Sequence, residues 1–498
     1  MSTKPSLLFI TVDCLRADHV GFMGYARPTT PFLDSLASES LVIPTAIVGG
    51  APTYYSLPSI LASRSPFNLG RDLIGLAPGE PTLASILGQA GYATAAFAGG
   101  NPYISPRFGY DQGFDHFCDF LAEVPPSRES APAANSLRRR VNRKIEQLSS
   151  RGALLKASYN ELYFQYCQRW GTKRPSSFDE LRRFPSADIL VDQARAWISS
   201  IGDRPFFLWL HFMDPHSPYY PVAEALGTMK RENLTPFRAR YLNSYWNRGD
   251  KSRENFSRYR EEVMGLYDAT IRWVDTQTAR LVETLRRFRR WDNCLLSFTA
   301  DHGEEFLEHG GRYHQPRKLI EELIHVPMLL RVPGTPPSRL TSSPFSLLHL
   351  APTLLDAMNV AIPAEFQGRS HWRHIQHHED WNDPAVVECG DGCSNPFHRD
   401  SRLRSRILAI REKRYKLVLR FDPRAEELFD LQEDPAELQP LPENAAMGVR
   451  RRLLKAALAH LRQSHDQGRM ERRLSGLIRD MQLQAFSAGL QAAHAVPM

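Results

Sequence analysis

Asp301, His302 and Gly303 directly follow an apolar run at residues 294–298 (CLLSF) and the pair Thr299-Ala300. The run predicts a buried strand, and an acid beside an imidazole where it stops predicts a site at a carboxyl strand end. Asp and His offer an anionic oxygen and a neutral nitrogen, both ligands for a divalent cation, although Asp-His-Gly also makes an ordinary polar turn. Residues 7–12 (LLFITV) form a second continuous apolar run, typical of a central parallel strand, and end in Asp13. Asp13 alone would serve as an N-cap, but two carboxylates at the ends of separate strands read together as a site. A third stretch runs from Gly49-Gly50 through Pro52, Thr53, Tyr54, Tyr55 and Ser56 into an apolar helical turn. It places Thr53 or Ser56 near a helix N-terminus, where backbone N–H groups favour an anion; Ser56 with Pro58 is equally an N-cap with an early proline.

The elements that must position these residues are legible as patterns. Thr30-Pro31 opens a helix expected through Glu39, residues 189–201 have helical periodicity, and residues 259–288 read as a long helix with Arg outward and a structural role only. Residues 205–210 (PFFLWL) predict another buried strand, after which His211, Asp214 and His216 gather; His211 is also readable as a satisfied core histidine. Residues 326–332 predict a further strand.

A chain of 498 residues at 42% hydrophobic can bury a large core with an appendage. Its net charge of +7, from 62 basic and 55 acidic residues, suits an anionic substrate and does not argue for nucleic acid. The six cysteines suggest no disulfide framework, and Cys389 with Cys393 makes only a weak zinc pattern. An immediate entry into a strand and the lack of a ~20-residue apolar run lead us to expect a cytoplasmic protein without signal peptide or transmembrane segment. Residues 136–147 form a basic run, read as a solvated helical face or, more sharply, a lid for an acidic substrate. Beyond Glu443 the chain is basic with apolar residues at helical spacing, a pattern for packing, oligomerisation or contact with anionic lipid.

Five segments taken together resemble the sulfatase family of the alkaline phosphatase superfamily. They are ITVDCLRADHVGFMGY with TPFLDSLASES, PTYYSLPSILASRSP, GYATAAFAGGNPY, FTADHGEEF and ELIHVPMLLRVPG, in the family's order over residues 7–334, with fainter echoes to Leu441. The resemblance implies an α/β fold: a doubly wound, mostly parallel sheet flanked by helices, with a metal site at its carboxyl edge and a nucleophile at a helix N-terminus. It also implies a small C-terminal α+β subdomain. The expected boundaries are 1–385 for the catalytic domain, with a helical insertion at 120–185, then 386–445 for the subdomain and 446–498 for a basic helical tail.

The departures from the family pattern direct the chemistry. Thr53 falls on the nucleophile position, and threonine cannot give the formylglycine aldehyde that sulfatases make from Cys or Ser, because its oxidation stops at a ketone. Thr53 is therefore expected to act as an alkoxide on a cation held by Asp13, Thr53, Asp301 and His302. The His302 imidazole shifts preference from Ca²⁺ or Mg²⁺ toward Zn²⁺ or Mn²⁺. By the resemblance, Asn101 and His211 are expected to bind substrate, Asp214, His216 and His314 to hold a second cation, and Lys318 to neutralise phosphoryl charge. The expected function is a metal-dependent hydrolase of anionic esters, favouring a phosphoester over a sulfate ester. The alternatives are a sulfatase without formylglycine, a transferase of a phosphoryl-linked group, and an inactive relative that binds glycans. The substrate is a small anionic ester or a glycan- or lipid-linked one, and the C-terminal helices would mediate any oligomer.

Overall fold

Ser6–Val12 is buried along its whole length because a strand lies on each side of it. The computed structural model of the protein describes residues 4–70, 73–122, 152–171, 173–315, 317–340, 343–390, 406–421 and 423–466, with residues 147 and 149. The main sheet has eight strands, in the order Ser338–Arg339, Leu41–Val42, Met328–Arg331, Cys294–Ala300, Ser6–Val12, Phe206–Phe212, Ala93–Ala98 and His116–Cys118. The last five are mutually parallel, whereas Met328–Arg331 runs antiparallel to Cys294–Ala300. Parallel strands covered on both faces read as unbroken apolar runs, which is why the three longest were legible.

Two groups of helices flank the sheet. The first surrounds Arg253–Arg287, against which Pro31–Ala37, Ala187–Ser200, Ala223–Thr228 and Pro236–Trp246 pack. In the second, Thr53–Ala62 packs on Leu83–Gln89 and Leu350–Ala357. The long helix starts at a Ser252–Asn255 capping box and buries one stripe, including Phe256, Val263, Leu266 and Val274.

The strand expected over 205–210 continues to Phe212, so His211 lies inside the sheet, opposite Thr11 on one side and Ala98 on the other. A four-stranded antiparallel sheet, Ala385–Gly390, Arg406–Arg411, Tyr415–Phe421 and Arg424–Asp430, forms the C-terminal unit. Helix Met447–Asp466 covers it through a separate small core of Leu408, Ile410, Leu417, Leu428, Leu453 and Ala457. Contacts that join this unit to the main sheet's domain include Glu388 N–H donating to Gly49 C=O (3.0 Å) and Glu321 pairing with Lys416 and Arg411 (3.2 Å each).

Cys389 is buried in the first of these strands. Cys393, the basic run at 136–146 and the tail at 467–498 lie outside the described residues. Among the described residues, no helix is long and apolar enough to cross a membrane.

Candidate active site

Strand register assembles the site. Val12 lies opposite both Phe212 and Ala300, so the residues one step further, Asp13 and Asp301, leave neighbouring strands side by side. Asp13 N–H donates to Phe212 C=O (2.8 Å), extending the ladder one residue past the strand. Gly303 then lets the chain turn against the backbone of Glu322: a Cβ there would lie 2.0 Å from the Glu322 oxygen. Thr53 is the first residue of helix Thr53–Ala62, behind Pro52, and its entry loop is pressed so closely that a Cβ on Gly50 would meet Glu388 O at 2.7 Å. The positive end of that helix faces the carboxylates.

The Thr53 hydroxyl lies 3.1 Å from His302 Nε2 and 3.5 Å from Asp13 Oδ2, and all three residues are buried. His302 Nδ1 donates to Gly303 C=O (2.8 Å), a tautomer that leaves the Nε2 lone pair toward the hydroxyl. His302 Nε2 is also 3.7 Å from an oxygen of Asp13 and 3.7 Å from Asp301 Oδ2. Asp301 Oδ1 accepts the His302 N–H (2.9 Å), but Oδ2 is buried without a hydrogen-bond partner. Burial and the neighbouring Asp13 charge push the Asp301 carboxyl up. Burial also works against the Asp13 carboxylate, yet the His216, His211 and His302 rings hold it well below the usual carboxylate range. Two enclosed carboxyls and an imidazole with an open lone pair fit a divalent cation, which would satisfy the orphaned oxygen and cancel the carboxylate repulsion. Ligand atoms of Asp13, Asp301 and His302 all lie within 4.8 Å of one another.

A relay of hydrogen bonds fixes Asp13 from behind. Trp209 Nε1 donates to Thr11 Oγ1 (2.9 Å), the Thr11 hydroxyl pairs with His211 Nδ1 (2.8 Å), and His211 Nε2 faces Asp13 Oδ2 at 3.4 Å. An ionised Asp13 can only accept, which places the His211 N–H on Nε2, toward the carboxylate, and leaves Nδ1 to accept from the Thr11 hydroxyl. His211, expected to bind substrate, is fully buried between Thr11 and Asp13. Asn101 Nδ2 likewise donates to Asp13 Oδ2 (2.9 Å) while its Oδ1 accepts from Tyr103 N–H (2.9 Å), so the donor expected to meet substrate is held on Asp13 in this structure.

Two further expected site residues have partners of their own. Lys318 Nζ binds both oxygens of buried Glu305 (2.7 Å each) and His309 C=O (3.1 Å), because Glu305 would otherwise be an unpaired buried charge. Asp214 turns to the start of helix Ala187–Ser200, where Oδ1 accepts Ala187 N–H (3.2 Å), and burial pushes its carboxyl up to about 7. Among the described residues it joins no cluster of cation ligands.

His216 and His314 do reach the pocket. His216 Nδ1 donates to Ser217 C=O (2.6 Å), and burial lowers its basicity. Burial also disfavours charge on His314, but the Glu304 carboxylate 2.9 Å away pushes it up to about 9. Cys14 was missed: its φ of +60° aims Sγ at Asp13 Oδ1 (3.0 Å) and His314 Nδ1 (3.3 Å). Its ligand atom clusters with those of Asp13 and His216, and with those of His302 and His314. Also missed were Glu304, visible in hindsight as a third polar residue of Asp301-His302-Gly303-Glu304, and Tyr219, whose hydroxyl donates to Glu304 (2.8 Å). Tyr267, on the long helix, donates to Cys14 C=O (2.6 Å) and accepts Arg16 N–H (3.0 Å), so that helix braces the loop after Asp13 beyond its packing role.

Comparison with known proteins gives the family and the fold. A family model described as Sulfatase matches residues 5–360, and one described as N-sulphoglucosamine sulphohydrolase, C-terminal, matches residues 308–464. An arylsulfatase of Clostridium perfringens is 25% identical over 88% of this chain and 90% of its own length. A choline-sulfatase of Rhizobium meliloti is 29% identical over 48% of this chain and 47% of its own. Among solved structures, the phosphonate monoester hydrolase of Silicibacter pomeroyi superposes with a TM-score of 0.65 at 18% identity, over 92% of this chain and 96% of that one.

Proposed function

The chain belongs to the sulfatase family of hydrolases, and from that premise we propose that it cleaves an anionic ester with the Thr53 hydroxyl as nucleophile, preferring a phosphoester to a sulfate ester. The observation that carries this reading is the Thr53 hydroxyl set among Asp13, Asp301 and His302. Asp13, Asp301 and His302, with Thr53, would hold a divalent cation, Zn²⁺ or Mn²⁺ by the imidazole in the set. When bound it would supply Lewis acidity, lowering the pKa of the threonine hydroxyl and drawing charge from the ester.

The residues of the chain do the rest. Asn101 and the Trp209–Thr11–His211 relay keep Asp13 oriented. His314, kept protonated near neutrality by Glu304, supplies the positive charge for the transferred group that had been expected of Lys318. The Thr53 oxygen bonds to phosphorus and releases its proton to solvent, the bond to the leaving oxygen breaks, and the departing alkoxide takes up a proton from solvent to leave as the alcohol. Water then cleaves the phosphothreonine.

Threonine at this position argues for the phosphoester, since it bypasses formylglycine. The curated relatives named as sulfatases favour the second reading, a sulfate ester attacked by the same hydroxyl. Paired aryl sulfate, aryl phosphate diester and aryl phosphonate substrates, assayed on metal-reconstituted enzyme, separate them. Higher kcat/KM on the phosphorus esters is expected; higher kcat/KM on the sulfate overturns the preference. Recovery of phosphothreonine at residue 53 from acid-quenched enzyme tests the nucleophile.

A further inference from the structure

His371 is fully buried, yet neither of its ring nitrogens has a hydrogen-bond partner. A polar ring in that state is costly and calls for an occupant. Its neighbours do not serve it: Trp381 packs at 5.1 Å between ring centroids but sends its own N–H to Pro344 C=O (2.8 Å), and Phe345 lies at 5.8 Å. The groups that can serve it are His349, 4.7 Å away centroid to centroid, and Asp383, whose Oδ2 is 3.7 Å from His371 Nε2. One ligand atom from each of His349, His371 and Asp383 lies within 4.8 Å of the others.

We propose that His349, His371 and Asp383 form a cation site, separate from the active site, for a divalent first-row transition ion of the Zn²⁺ class. Two imidazoles and one carboxylate suit such an ion and not Ca²⁺ or Mg²⁺, which take oxygen ligands. Burial keeps both rings uncharged, with His349 lowered to about 3 and His371 to about 4, so they offer lone pairs. The scaffold is stiff: His371 N–H donates to Thr353 Oγ1 (3.0 Å), and that hydroxyl donates to His349 C=O (2.6 Å). Asp383 is one-third exposed and provides the way in.

Arg369 is the competing group. Its guanidinium pairs with Asp383, and its backbone N–H donates to His349 Nδ1 (3.1 Å). Its side chain is 62% exposed, so the guanidinium can turn to water when the ion takes Asp383, and the other nitrogen of His349 is left to face the ion. The ion would clip the start of helix Leu350–Ala357 and the start of helix Trp372–His377 to the segment that enters the C-terminal sheet at Ala385.

The test is Zn²⁺ binding by chelator-stripped, full-length protein, read by elemental analysis after gel filtration and by the Zn²⁺-dependent rise in Tm. Asp383→Asn and His349→Gln are each expected to bind one equivalent fewer than the parent and to lose that part of the Tm rise. Asp301→Asn should lose a different equivalent, and Asp301→Asn with Asp383→Asn both. Co²⁺-loaded Asp301→Asn protein should show a visible d–d band that the double variant lacks. Should His371→Gln fail to fold, the two more exposed variants still decide. Unchanged Zn²⁺ stoichiometry in both Asp383→Asn and His349→Gln overturns the proposal.

Discussion

The Thr53 hydroxyl stands 3.1 Å from the unprotonated nitrogen of His302, although 249 residues separate them in the chain. A hydroxyl at a helix start and an imidazole at a strand end thus share one acceptor–donor contact inside the protein. From this relationship and its surroundings, five outcomes are expected.

Thr53→Val removes the nucleophile and keeps the shape. Turnover should fall by about 10⁴–10⁶-fold, as for other nucleophile deletions, while stability changes by only about 1 kcal/mol. Steady-state hydrolysis and a thermal melt measure the two effects, and activity within tenfold of the parent removes Thr53 from the mechanism.

Asp301→Asn replaces the orphaned carboxylate oxygen with an amide. One equivalent of bound metal and the activity should be lost together. The metal-free variant should melt at or above the metal-free parent at pH 7, because burial and the Asp13 charge work against Asp301 ionising there. Elemental analysis and melts with and without chelator check this pair of results.

Thr11→Val breaks the relay behind Asp13 at its centre, leaving Trp209 Nε1 and His211 Nδ1 unpaired. The cost should be about 1–3 kcal/mol in stability, with cation affinity lowered about 10–100-fold. Denaturant unfolding and metal titration measure each. A loss of stability without any change in metal affinity means that the relay only packs.

Lys318→Met should act on the fold before it acts on the reaction. It strands buried Glu305, for which about 3–5 kcal/mol of destabilisation is expected, and the double change Lys318→Met with Glu305→Gln should recover much of it. A double variant that is stable yet raises KM steeply returns Lys318 to substrate binding.

Glu321 governs an acid-sensitive link between the main domain and the C-terminal sheet. Burial opposes its charge, but Lys416 and Arg411 bring it down from 4.5 to about 2. A depressed carboxyl contributes stability above its unfolded value and loses it on protonation, so the contribution is full above about pH 4.5 and fades toward pH 2. The parent should therefore lose Tm across that window more steeply than Glu321→Gln, which should already be less stable at pH 7. Parallel Tm–pH slopes for the two proteins contradict this.

The amino-acid sequence by itself determined which segments become central strands, because a strand covered on both faces must be apolar throughout, as in Ser6–Val12 and Cys294–Ala300. It also determined that polar residues begin where those strands stop, which singled out Asp13, Asp301 and His302, and that a helix starts near Thr53 and Ser56, of which the structure makes Thr53 the first residue. Each of these is a local property, set by burial and backbone geometry within a few residues.

What the tertiary structure alone decided is which charge meets which. Lys318, Asp214, Asn101 and His211 had the right chemistry near the right strands, yet each answers to a buried partner that sequence spacing does not reveal: Glu305, the Ala187 amide, and Asp13 for the last two. Cys14 and His314 came to the pocket through a left-handed backbone turn and a carboxylate at Glu304. The physical reason is that enclosing a polar atom is costly unless another chain segment satisfies it. That pairing is made across tens to hundreds of residues, where only the folded chain brings the partners within reach.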